Sequence, residues 1–324
     1  MVDHVGQTNN PAAEQSPLSN TFNWSDFWKK SGSISTFTEG PLVTTYYQKD
    51  RQQQLIQLFD EIVGQLSPAG RVLDVGCGNG AGSVSLLNAA ARKQRTLNID
   101  GIDSADICPP ESLSTRVHFR KGRAEELDYP DNTFGLVLSC FAVEFFEIMS
   151  FLKQCRRVLE PGGQAVFLTY ARESPMVSKQ SRYVGVYENG LKELINIVLI
   201  GRKVDMELIA RIRHHIQEDV PQPQFRKHLN QIVDCLNSLP LQTSGISSLI
   251  DHPFLPNVDG APNIHSLSTL RSFFSLLQVI HYAALTAPAA RDLVRQIERS
   301  GFNPCSVVPL EFQGMLLCWL FTAE

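Results

Sequence analysis

Two acids and three glycines stand at spacings that could do chemistry: Asp74, then Gly76, Gly78 and Gly80, with Asp103 further on. In Val72-Leu73-Asp74-Val75-Gly76-Cys77-Gly78-Asn79-Gly80, a short apolar strand with an acid near its end runs into a glycine-rich turn. Glycines let the backbone turn sharply and let a ligand lie against bare peptide N–H groups, while the following helix points its positive end at that ligand. A carboxylate just before the loop repels a pyrophosphate there but attracts an ammonium, directly or through water. S-adenosylmethionine (SAM) has an ammonium and a sulfonium and no phosphate. Gly76, Gly78 and Ala81 also satisfy G-x-G-x-x-G/A, the dinucleotide pattern, and Asp74 weighs against that reading.

The surrounding segments supply the elements that must hold these groups. Asn98 to Ser104 reads as a second strand ending in Asp103, an acid suited to accept both ribose hydroxyls, followed by Ser104. Arg120 to Leu127 reads as a loop after a third strand, and Asp131 to Ser139 as a turn into a fourth. Arg156 to Gly163 closes a helix with a Pro-Gly-Gly turn before an apolar strand, Gln164 to Tyr170. Arg291 to Ser300 reads as a helix stopped at Gly301, and Cys305–Leu310 and Met315–Thr322 as a closing pair of strands.

These segments resemble the class I SAM-dependent methyltransferases, in the branch acting on small molecules, quinones and lipids. The resemblance implies an α/β fold, a doubly wound, mostly parallel seven-stranded sheet. It assigns the methionine moiety to Gly76 and Gly78, the ribose to Asp103 and the adenine surroundings to Arg123, Ala124 and Glu125, and places Pro161 to Gly163 before the fifth strand. Cys77, Ser104, Ser139 and Phe141 are counted with the cofactor residues. Two positions depart from the family: Arg123 and Gly135 stand where acids are common. Glu125 or the backbone around Ala124 then takes the adenine amino group, and Arg123 either stacks on the purine or is a solvated loop charge.

The 324 residues with 43% hydrophobic content suit one elaborated domain rather than two. The expected organisation is a disordered tail over 1–20, an N-terminal helical cap over 21–66, an α/β core over 67–170 and 289–324, and a helical lid over 171–288. The cap carries Trp24 and Trp28, read as packing residues, and Tyr46 and Tyr47, of which Tyr47 is counted with the cofactor. A net charge of -4 and a pI near 6.1 argue against an extended nucleic-acid surface. Seven scattered cysteines without C-x-x-C pairing suit a reduced compartment and no structural zinc, and no stretch approaches a membrane span. The chain reads as cytoplasmic and is compatible with a homodimer.

Methyl transfer asks mainly for positioning, plus a base where the acceptor must lose a proton. Glu144, just past the fourth strand, is one candidate base; its alternative is a carboxylate stabilised at a helix start. His214 is the other, drawn from a histidine-rich insertion, although His214 and His215 point about a hundred degrees apart on a helix. Ser139-Cys140-Phe141-Ala142 lacks the Asn/Asp-Pro-Pro-Tyr/Phe sequence that resembling enzymes use on amide or adenine nitrogens. The reading is a SAM-dependent methyltransferase of a small-molecule acceptor, O-methylation favoured, of the kind found in secondary metabolism, with S-adenosylhomocysteine (SAH) as product. Its alternatives are an inactive SAM- or SAH-binding partner protein and, further off, an NAD-dependent oxidoreductase.

Overall fold

In the computed structural model, residues 22–31, 48–67, 70–200, 202–220, 223–238, 267–312 and 314–324 are described. Five strands, β1 (Arg71–Val75), β2 (Asn98–Asp103), β3 (Val117–Lys121), β4 (Phe134–Cys140) and β5 (Leu159–Tyr170), pair in parallel. Two more, β6 (Cys305–Phe312) and β7 (Met315–Ala323), close the sheet as an antiparallel pair, giving the order β3-β2-β1-β4-β5-β7-β6. The order reverses between β1 and β4, which puts the ligand crevice at the carboxyl end of β1.

Alternation along the strands divides the core. Val72, Leu136 and Leu138 face α2 (Gln48–Gln65) and α3 (Ala81–Arg92), meeting Leu58, Phe59, Ile62 and Leu86. Leu73, Val75 and Val137 face the other way, onto Phe151 and Leu152 of α5 (Ile148–Val158) and Leu293 and Ile297 of the helix Ala287–Arg299. A short helix α1 (Trp24–Ser31) lies ahead of α2, and α4 (Glu111–Ser114) precedes β3.

The Pro161-Gly162-Gly163 segment lies inside β5 rather than ahead of it. Pairing with β4 jumps from Phe134↔Leu159 to Leu136↔Gln164, so the segment is looped out as a bulge with Gly162 at φ +79°. Proline brings no N–H to the ladder and glycine takes the positive φ, which is why the strand bends here without ending.

Between β5 and β6 run helices α6 (Pro175–Val186), α7 (Lys192–Leu199), α8 (Met206–Asp219), α9 (Pro223–Ser238) and α10 (Leu267–Ala283), then α11, the Ala287–Arg299 helix. Helices α6 to α10 carry a core of their own, with Tyr187, Leu194, Ile212, Val233 and Phe274 buried together, while Met176, Val177, Leu276 and Ile280 pack into the sheet's core. The excursion leaves and returns at one point: Ala171 bridges Leu285, Leu285 N donates to Tyr170 O at 2.8 Å, and Arg172 N donates to Leu285 O at 2.9 Å. The Trp319 indole gives Leu285 O a second bond, at 3.1 Å. Among the described residues, no helix is long and apolar enough to cross a membrane.

Candidate functional site

The loop after β1 is bent by Gly76, Gly78 and Gly80, with φ of +67°, +50° and +97°. Gly76 N and Cys77 N both donate to Ile102 O, at 2.8 and 3.1 Å, so the loop is stitched to the end of β2. Asp103 completes that joint: its Oδ2 accepts from Gly78 N and its Oδ1 from Ala105 N, each at 2.8 Å. Each carboxylate oxygen retains a lone pair, so Asp103 can still accept from a vicinal diol. Burial raises its pKa, opposed by these backbone bonds.

Asp74 is buried at the base of the loop, where Ser83 Oγ donates to its Oδ2 at 2.7 Å and its Oδ1 has no hydrogen-bond partner. Burial pushes its pKa up to about 6, the Ser83 bonds working the other way. An ionised carboxylate with one oxygen unmet inside a cavity is complementary to a ligand cation. The same observation fits the ammonium of SAM and opposes a pyrophosphate.

A cavity of about 370 Å³ opens over the loop, within the usual range for small-molecule sites. It is lined by Asp74, Gly76, Cys77, Asp103 and Ser104, by Arg123, Ala124 and Glu125, and by Phe141. Gly78 lies just under this surface, bonded to Asp103 and covered by Trp28. Glu125 takes an ion pair from Arg123 at 3.3 Å, and its Oε1 accepts from Glu147 N at 2.9 Å. Gly135, the other departure from the family, faces Glu160 instead: a Cβ there would come 2.8 Å from Glu160 Oε1.

Other residues are not brought to the cavity wall. Ser139 is fully buried in β4 and its hydroxyl has no partner. Tyr47, like Tyr46, lies outside the described residues. His214 is exposed on α8, where Leu208, Ile209, Ile212 and Ile216 occupy the buried face. Glu144 sits in a single 3-10 turn, Val143–Phe145, and its Oε1 accepts from Tyr170 N at 2.6 Å, off the cavity wall. Its enclosed Oε2 is unpartnered and burial pushes the carboxyl up to about 8, so at neutral pH it mostly holds its proton. The helix-start role falls to Glu147, which caps α5 by accepting from Met149 N and Ser150 N.

The structure adds aromatic residues to the site. Trp24 and Trp28, read from sequence as packing, line the cavity together with Phe145 and Phe146. Trp28 covers Gly78 so closely that a Cβ there would come 2.4 Å from the indole. The indoles stack on each other at 6.2 Å, and Trp24 packs on Phe145 at 5.2 Å. Asn79 holds α1 down, donating to Trp28 O at 3.0 Å while accepting from Cys108 N at 2.7 Å. At its outer edge, Lys29 and Lys121 flank Asp106 and hold that carboxylate at about 2. Two tryptophans one helical turn apart mark a single apolar face in the sequence, and that spacing is the same for a packed face. Among the described residues, no cluster of His, Cys, Asp and Glu could hold a metal ion.

Comparison with known proteins agrees with this geometry. Residues 73–167 match the family described as a methyltransferase domain. The chain is 30% identical over 163 residues to a malonyl-[acyl-carrier protein] O-methyltransferase of Bacteroides fragilis, covering 47% of this chain and 32% of that protein. It is 33% identical over 167 residues to a fatty-acid O-methyltransferase of Mycolicibacterium smegmatis, covering 50% and 57%. A demethylmenaquinone methyltransferase of Bacillus licheniformis is 33% identical over 114 residues, covering 33% and 48%. The chain thus spans less than two thirds of the length of each of these relatives. Where the match, the seven-stranded order and the two-acid crevice coincide, the chain carries a class I methyltransferase domain whose cofactor is S-adenosylmethionine.

Proposed function

We propose that the protein transfers the methyl group of SAM to an oxygen of a small or lipid-like organic acceptor. The observation that carries this reading is the pair of acids in one cavity: Asp103, pinned to the glycine loop and suited to a ribose, and Asp74, with one oxygen unmet. SAM, when bound, supplies an electrophilic methyl on a sulfonium that is already a good leaving group. The chain's own part is to bind, align and keep water out. Asp74 takes the ammonium, Asp103 the ribose, Arg123 to Glu125 flank the adenine, and the indoles of α1 cover the site. Transfer to oxygen is supported by the names of two relatives, both O-methyltransferases. The insertion 171–288 is assigned the role of a lid on the acceptor side.

Calorimetric titration with SAM, SAH and NAD, followed by transfer from labelled SAM, tests the proposal. Micromolar binding of SAM and SAH without NAD, and label entering an organic acceptor, is the expected result; NAD binding alone overturns it.

The Asp74 carboxylate gives this binding a pH dependence. Burial raises its pKa to about 6, and only the ionised form attracts an ammonium. Affinity for SAM is therefore full above pH 7 and declines as pH falls through 6, approaching about tenfold per unit below it. Asp74→Asn is expected to bind weakly and without that slope, as titrations between pH 5 and 8 would show.

A further inference from the structure

The cavity has two chemically different ends. Near Asp103, Arg123 and Glu125 it is polar; between α2 and α3 it is walled by Leu55, Phe59, Val84, Cys140, Phe141 and Leu168. Burial pushes the Cys140 thiol well above its usual range, so this end carries no charge of its own apart from Asp74 at its border. An acceptor body rich in hydroxyls or amides would lose its water there without gaining partners. An apolar body fits.

Among the described residues, the acids and histidines that could act as a base are engaged elsewhere: Glu147, which lines the cavity, caps α5, and Glu125 takes the ion pair of Arg123. Asp74 is held by Ser83 and answers the ammonium. Glu144 is turned onto the backbone of Tyr170 and stays protonated at neutral pH. His281 is bonded to Ser181 within the insertion at 2.8 Å, and His214 is exposed on α8. An alcohol must lose its proton to become a competent nucleophile, and a phenol titrates near 10. A carboxylic acid titrates near 4 and arrives ionised.

We infer that the acceptor is a monocarboxylic acid on an apolar body, methylated at the carboxylate to a methyl ester. The inference rests on the methyl transfer proposed above and names its acceptor. One carboxylate oxygen attacks the methyl carbon in line with the carbon–sulfur bond. That bond breaks with its electron pair remaining on sulfur, giving neutral SAH thioether and neutral ester. No proton moves, so no base is needed. The cationic sulfonium and anionic carboxylate attract each other strongly in an apolar enclosure and cancel on reaction. Walls of Leu55, Phe59 and Leu168 thus serve catalysis by stripping water from the nucleophile.

The test offers dodecanoic acid, dodecanol, 2-naphthoic acid and 2-naphthol to the full chain with labelled SAM, the two acids separating an aliphatic from an aromatic body. Base-labile label should enter at least one acid, with each matched alcohol or naphthol about 100-fold slower. At saturating SAM the rate should stay level from pH 6.5 to 9, because the nucleophile is fully ionised throughout. Val84→Asp, which puts a charge in the apolar wall, should lower kcat/KM for the acid about tenfold or more while SAM affinity holds within about threefold. Leu55→Gln makes the same test should Val84→Asp fail to fold. SAM binding with transfer to dodecanol or naphthol at rates equal to the acids, or a rate rising about tenfold per pH unit, overturns this inference alone. Absence of SAM binding overturns the transferase reading and this one with it.

Discussion

Replacing Asp103 with alanine is expected to weaken SAM binding by roughly 1–3 kcal/mol, or about 5- to 150-fold. Two losses combine. A ribose diol would lose its acceptor, and the backbone N–H groups of Gly78 and Ala105, each bonded to the carboxylate at 2.8 Å, would lose theirs. The second loss loosens the glycine loop in the empty protein as well, so a modest fall in Tm should accompany the affinity change. Asp100 is the matched control. It lies on the same strand but is engaged by Arg71 at 3.2 Å and His118 at 3.0 Å. Asp100→Ala should leave SAM affinity within about twofold; titration calorimetry showing the reverse ordering of the two variants would move the ribose to Asp100.

Gly76→Ala should be more damaging to the fold. At φ +67° any Cβ is strained, and this one would come 2.4 Å from the Ala142 Cβ and 2.9 Å from Phe146 Cζ. Left-handed backbone and overpacking each cost about 1–3 kcal/mol. The expected sum, roughly 2–6 kcal/mol, should appear as a lowered midpoint in urea unfolding. Ala142→Gly removes the nearer clash while leaving the backbone strain. The double variant Gly76→Ala/Ala142→Gly should therefore recover part of the loss and not all of it. Full additivity of the two substitutions would show that the loop and the turn after β4 do not touch in solution.

The sheet and its cofactor loop were legible because their signals are local. A buried strand running into Gly76, Gly78 and Gly80 announces itself within ten residues, and the closing pair β6 and β7 follows from two short strand-like runs after the helix stop at Gly301. The looped-out Pro161-Gly162-Gly163 was seen as a turn because a bulge and a turn use the same residue types; only the pairing partner tells them apart. Trp24 and Trp28 escaped for a different reason. Their place over Gly78 is set by long-range contacts, such as the bond from Asn79 to Trp28 across 51 residues, and nothing in their spacing distinguishes a cavity roof from a packed face. Glu144 shows the same limit: a carboxylate just after a strand is written identically whether it caps a helix, as Glu147 does, or is enclosed against Tyr170 N.

The narrow neck at Tyr170, Arg172 and Leu285 has a consequence for how such a protein can change over evolutionary time. Because the chain departs from the sheet and rejoins it within hydrogen-bonding distance, the entropy of closing that long excursion is met at one joint. The excursion also buries a core of its own, centred on Leu194, Ile212 and Phe274. The buried faces of α7, α8 and α9, which pack among themselves, can accumulate substitutions while β5, β7 and the glycine loop keep their register; Met176, Val177, Leu276 and Ile280, which pack into the sheet's own core, are tied to it. On the methyl-transfer reading proposed above, such changes would revise the acceptor and leave the methyl donor's site as it is.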